Sequence, residues 1–229
     1  MSFPPFRSVR GPAPALLLPN IDTDIIIRVD HLTKGRDEVA PFAFDAIRLL
    51  PDGSEDSAFP LHRPEFRGAP ILITGPNFGC GSSREPAVWA LGGLGIRCVI
   101  GSTFGDIFLA NCAQNGLLAV ALALADIEKL VTLSASGEPI TVDLMTQTVK
   151  AADGTTWAFT VPAITKQSLL EGFDDLELAL RSGDAIAQWQ ENDRARRPWV
   201  WVSEPALTSA MPPIEACPPG STARRCDPR

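Results

Sequence analysis

Asn77-Phe78-Gly79-Cys80-Gly81-Ser82-Ser83-Arg84-Glu85 is the stretch from which this 229-residue chain is read. The apolar run 69–74 before it has the make-up of a buried strand, and a helical pattern begins near Pro86. Glycines at a strand exit let the backbone turn tightly and leave N–H groups facing open space. A helix N-terminus adds partial positive charge, so the place suits an anion. Arg84 is the odd member, because a cation in a first helical turn opposes the macrodipole. It is explained if it faces a bound carboxylate, which its planar fork can grip through two hydrogen bonds. Ser82-x-x-Glu85 also matches a capping box, a purely structural reading. Pro86 opposes that reading: with Ser82 as N-cap it falls at the fourth helical position, where its missing N–H is needed. A start at Ser83 or later frees the Ser82 hydroxyl.

Outward from this stretch the chain alternates strand and helix: strand 71–73, helix 86–94, strand 97–100, helix 104–113, strand 117–122. Such alternation predicts an α/β fold with a parallel central sheet. Upstream, 15–18 and the isoleucine-rich 24–29 read as strands, and 41–50 as a short helix. Downstream come a helix near 126–133 and short runs at 140–144, 148–150 and 157–161, with Asp153-Gly154 as a hairpin signal for a smaller antiparallel sheet. Helical patterns at 164–171, 174–181 and 183–195 follow. Residues 1–14, with four prolines, read as an irregular N-terminal arm. One domain is expected over 15–203, and 204–229, with six prolines and little apolar periodicity, reads as a disordered tail. Phe104, Ile107 and Phe108 have helical spacing and are assigned to the core.

A net charge of −7 argues against nucleic acid as a partner, though a local positive site can still hold a small anion. No apolar run approaches a membrane span, and the N-terminus lacks a signal-peptide pattern, so a cytoplasmic protein is expected. The five cysteines (Cys80, Cys98, Cys112, Cys217, Cys226) show no C-x-x-C pair or zinc spacing, and His31 and His62 form no H-E-x-x-H arrangement. The chain is therefore expected to bind no metal or cofactor itself. Both histidines read as ordinary loop residues.

Asn20-Ile21-Asp22-Thr23-Asp24, then Asn77 to Glu85, then Thr103-Phe104-Gly105-Asp106-Ile107-Phe108 with Asn111, stand in that order. Together they resemble the small subunits of isopropylmalate dehydratase, equivalent to the swivel domain of the aconitase superfamily, over roughly 16–192. The resemblance implies a swivelling β/β/α domain that caps a large subunit carrying a 4Fe–4S cluster. The pair would interconvert 2- and 3-isopropylmalate by dehydration and rehydration in leucine biosynthesis. Position by position, it implies Ser82 as the base that removes the carbon-bound proton, and Ser83 and Arg84 as holders of a carboxylate of the dicarboxylate substrate. Asp22 would lie at the site edge and order its polar groups. The loop from His31 to Arg36 would read the substrate's side chain, chiefly through Thr33 and Lys34. Pro86 stands where the family commonly has His or Gln, and Arg28 where it commonly has Pro. Both departures leave Ser82, Ser83 and Arg84 intact.

Three other readings compete. A paralogous dehydratase would act on methylmalate, citraconate or another substituted malate. A non-catalytic carboxylate-binding module would need Arg84 but not the neighbouring hydroxyl. A serine hydrolase would need G-x-S-x-G, which Gly79-Cys80-Gly81-Ser82 does not supply, and no P-loop sequence is present.

Overall fold

Alternation along three short parallel strands organises the structure. In the computed structural model, which describes residues 3–201, the chain divides into two compact units, Met1–Ser182 and Gly183–Arg229. The first holds eight strands: β1 (Ser8–Gly11), β2 (Ala15–Leu16), β3 (Ile71–Thr74), β4 (Cys98–Gly101), β5 (Leu118–Ala121), β6 (Ile140–Asp143), β7 (Thr148–Lys150) and β8 (Thr156–Ala158). A parallel sheet runs in the order β2-β3-β4-β5, and an antiparallel sheet in the order β1-β6-β7-β8. Ile71 and Ile73 of β3, Cys98 and Ile100 of β4, and Leu118 and Val120 of β5 enter one core with Ile140, Val142, Val149 and Trp157 of the antiparallel sheet. The intervening Leu72 and Val99 enter a second core on the other face. Side chains alternate across a strand, so a sheet covered on both faces reads as an unbroken apolar run.

The helices of this unit are α1 (Thr23–Ile26), α2 (Asp45–Arg48), α3 (Glu85–Gly93), α4 (Asp106–Gln114), α5 (Leu124–Ser134), α6 (Ala163–Glu171) and α7 (Asp175–Arg181). Ala87, Val88, Ala90 and Leu91 of α3, with Phe108 and Cys112 of α4, fill the second core. The fold is thus the expected β/β/α arrangement, with a parallel sheet and an antiparallel one. None of the helices among the described residues is long and apolar enough to cross a membrane.

Several expectations are corrected. The 1–14 arm is not irregular throughout: β1 lies within it, because Val9 and Gly11 sit in register with Val142 and Ile140. Residues 24–29 are not a strand. The Asp22 carboxylate accepts the Ile25 N–H at 2.8 Å and starts α1, so local capping overrides the β preference of isoleucine. Ile107 is exposed rather than core, since α4 turns Phe108 and Cys112 inward, four residues apart. The first unit closes at Ser182, short of the expected boundary at 203. In the second unit, α8 (Gly183–Arg196) ends where the Asp193 carboxylate accepts from Arg197 Nε at 2.8 Å and Trp201 Nε1 at 3.0 Å. The tail expected over 204–229 lies outside the described residues.

Candidate active site

The three sequence motifs leave the carboxyl ends of three adjacent parallel strands, β2, β3 and β4. That end of a parallel sheet is where α/β folds bind ligands. Backbone hydrogen bonds then join the motifs. Gly79 N–H donates to Ile21 O at 2.7 Å, and Thr23 N–H donates to Cys80 O at 3.0 Å. On the other flank Phe78 N–H donates to Thr103 O at 3.2 Å, and Gly105 N–H donates to Phe78 O at 3.0 Å. Asn20 and Asn77 both adopt positive φ, and Asn77 Nδ2 donates to Asn20 Oδ1 at 2.8 Å. Asn tolerates that region because its short amide can bond locally. The 77–81 segment therefore continues the sheet between its neighbours.

Close approach explains two of the glycines. A Cβ on Gly79, at φ +71°, would lie 2.3 Å from Cγ of Phe108; one on Gly105 would lie 2.5 Å from the carbonyl oxygen of Gly79. Phe108 is buried, and Phe78 meets it edge-on at 5.5 Å. The aromatic pair is the floor on which the loop rests, worth about 0.5–1.5 kcal/mol beyond its burial.

On this base sit the expected residues. Ser82 and Ser83 are exposed, and no hydrogen bond among the described residues engages either hydroxyl. The Ser82 carbonyl is held instead, accepting from the buried Thr23 hydroxyl at 3.1 Å. Arg84 is the N-cap of α3 in extended conformation, and the Ser82–Glu85 capping box does not form. Pro86 falls at the second helical position, where a missing N–H is harmless. Ala87 N–H is bonded to Arg84 O at 3.2 Å, so few free N–H donors remain at this helix start. The cation available to an anion is chiefly the Arg84 guanidinium.

Asp22 joins the site as a brace: Oδ1 caps α1, and its backbone bridges to Cys80. Thr33 and Lys34 are not bonded to the 77–85 loop. Thr33 is exposed, and Lys34 Nζ lies over the Phe42 ring at 4.7 Å, a cation–π contact inside its own loop. His31 stacks on Phe42 at 4.0 Å and its Nε2 is 3.0 Å from Asp45 Oδ2, so it fixes the loop rather than lying loose on it.

Asp24 is the residue that sequence reasoning missed. Given no role of its own from the sequence, it pairs through Oδ1 with Nη1 of Arg84, sixty residues away. The Arg84 side chain is only 15% exposed, and a desolvated guanidinium needs a partner. No spacing signal could have joined the two. Glu85 likewise reaches across to Asn115 Nδ2 at 2.9 Å, tying the start of α3 to the end of α4. Burial pushes the Cys98 and Cys112 thiols well above the ordinary range. Among the described residues no group of three or more His, Cys, Asp or Glu side chains could hold a metal ion.

Comparison with known proteins agrees with this geometry. Residues 40–125 match the Aconitase C-terminal domain. The chain is 44% identical over 198 residues to the 3-isopropylmalate dehydratase small subunit of Dinoroseobacter shibae, covering 85% of this chain and 98% of that protein. It is 43% identical over 202 residues to the small subunit of the same name from Rhodospirillum rubrum, covering 87% and 98%. Among solved structures it resembles a 3-isopropylmalate dehydratase from Methanocaldococcus jannaschii, with a TM-score of 0.59, 27% identity and coverage of 79% of this chain and 99% of that one.

Proposed function

The chain belongs to the family of 3-isopropylmalate dehydratase small subunits in the aconitase superfamily, and we propose that it serves as the small subunit of that hydro-lyase. It interconverts 2- and 3-isopropylmalate by loss and return of water, in the cytoplasm, and turns over only with a large subunit. One observation carries the reading: three hydrogen-bonded loops at adjacent strand ends leave two unengaged serine hydroxyls beside a paired guanidinium.

The chemistry asks for a base at a carbon next to a carboxylate, and for donors fixed in advance where charge develops. Ser82 Oγ takes the proton from that carbon, and Arg84 with Ser83 holds the carboxylate. Asp24 occupies Nη1 of Arg84 and leaves Nη2 and Nε for substrate, so it positions the guanidinium. A serine hydroxyl in water is a weak base. Exposure of Ser82 and Ser83 in the lone chain therefore fits a site that works once a partner surface covers it, because excluding water strengthens the field of Arg84. Thr33 and Lys34, on their separate loop, face the substrate's variable side chain. In this reading the iron–sulfur cluster that the family implies belongs to the large subunit, and this chain contributes the protein groups that face it.

The test is anaerobic hydration by the reconstituted complex of isopropylmaleate, citraconate and dimethylmaleate. Isopropylmaleate should turn over fastest. Faster turnover of citraconate would replace the substrate with a smaller malate, and no turnover of any of the three would end the hydro-lyase reading.

A further inference from the structure

Behind α3, on the side away from its catalytic start, lies a cavity of about 370 Å³. Arg36, Asp37, Trp89, Gly92, Arg97 and Asn115 line it, with Val88, Ile96 and Leu117 as apolar wall. We infer that this cavity is a second binding site, for a small monocarboxylate with a short apolar chain.

Charge is the first argument. Two guanidiniums border the space and neither meets a carboxylate among the described residues. Arg97 touches only the Pro4 carbonyl at 3.4 Å and the Phe6 ring at 5.6 Å. Asp37 is the single acid in the lining, so the cavity keeps a net positive charge. Arginine fits a carboxylate better than a point anion, because its fork can bond both oxygens. The apolar wall and the Trp89 indole suit a hydrocarbon tail, and the volume matches the small end of ligand pockets.

Gly92, in the last turn of α3, gives a place from which the space can be filled. Its backbone is not in the left-handed region, and a Cβ built on it would meet nothing within 4 Å. Gly92 is exposed, so a larger side chain placed there would project into the open space beside the helix without a clash at its Cβ. The neighbouring Gly93 differs, since its Cβ would strike Ala40 at 2.5 Å.

Through Arg36 and Asn115 the cavity is linked to both halves of the active site without touching either. Arg36 belongs to the loop that carries Thr33 and Lys34. Trp89 Nε1 donates to Asn115 Oδ1 at 3.0 Å, and Asn115 Nδ2 donates to Glu85, next to Arg84. An occupant would touch the loop and the brace of α3 together, so the site is placed to modulate turnover.

The experiment is calorimetric titration of the assembled two-subunit enzyme with isovalerate, and with isovaleramide as its uncharged counterpart. Isovalerate should bind saturably, and isovaleramide about tenfold or more weaker, the value of a lost charge-assisted hydrogen bond. Arg97→Gln should weaken isovalerate by a similar factor, and Gly92→Leu should abolish binding by filling the space. Retained turnover in both variants checks that they are folded. Equal binding of acid and amide, binding that survives Gly92→Leu, or no saturable binding to the assembled enzyme would each overturn the inference.

Discussion

The 77–85 loop and the 28–38 loop lie in the same unit, yet they are held in opposite ways. The first is bonded through its backbone to Ile21 and Thr23 on one flank and to Thr103 and Gly105 on the other, and its Gly79 has no room for a methyl group. The second is a chain of tight turns whose bonds span three residues: His31 to Arg28, Leu32 to Val29, Lys34 to His31, Glu38 to Gly35. Its tertiary anchors are few, chiefly the His31 contacts with Phe42 and Asp45 and the buried Val39. A loop fixed from both flanks would hold the proposed base, Ser82, in place. A loop fixed mainly to itself can change residues without disturbing the sheet. On the proposed reading the first serves chemistry and the second choice of substrate.

Substituting glycines would break this contrast most directly. Gly79→Ala forces a methyl group into Phe108 and a residue with Cβ into positive φ. Strain of about 1–2 kcal/mol adds to overpacking of about 1–3 kcal/mol, so urea unfolding should show a loss of roughly 2–5 kcal/mol. Gly35→Ala is the counterpart in the other loop. Its Cβ would meet only the movable Glu38 carboxylate at 3.3 Å, so a change within about 0.5 kcal/mol is expected. Equal effects at the two positions would erase the distinction.

Alkaline titration examines the two cores on either face of the parallel sheet, one thiol in each. Cys98 in β4 and Cys112 in α4 are buried, and desolvation raises both thiols, with the Cys98 charge adding to the effect on Cys112. Their folded pKa values lie above the unfolded value of about 8.5, so this contribution is fully present below that pH and declines above it. Each thiol should remove about 1.4 kcal/mol of stability per pH unit above the unfolded value, until its folded pKa is reached. Replacing either thiol by Ala should flatten the slope of unfolding free energy against pH by one such increment. A smaller effect is expected from Asp22→Ala, which removes the α1 cap at a cost of about 1 kcal/mol. Chemical denaturation measures it, and an unchanged midpoint would mean the cap is idle.

How legible the molecule was follows the same division. Strands β3 to β5 and helices α3 to α6 stand out in sequence because a doubly covered sheet makes continuous apolar runs separated by Gly and Pro. The start of α3 was legible too, since Pro86 excludes a cap at Ser82. Helix α1 was not, because Ile25, Ile26 and Ile27 mimic a strand and only the Asp22 side chain reveals the turn. The Asp24–Arg84 pair and the Glu85–Asn115 bond were beyond reach. Both join residues whose proximity exists only after the parallel sheet has formed. β1 was hidden among prolines, and its pairing with β6 spans most of the chain.

The decisive measurement is turnover by Ser82→Ala in the reconstituted complex, followed beside co-purification of the two subunits. Turnover should fall about 10²–10⁴-fold, as when a general base is lost, while the subunits still co-purify and the variant unfolds at the wild-type midpoint. Full turnover in an intact complex would place the proton acceptor outside this chain's Ser82.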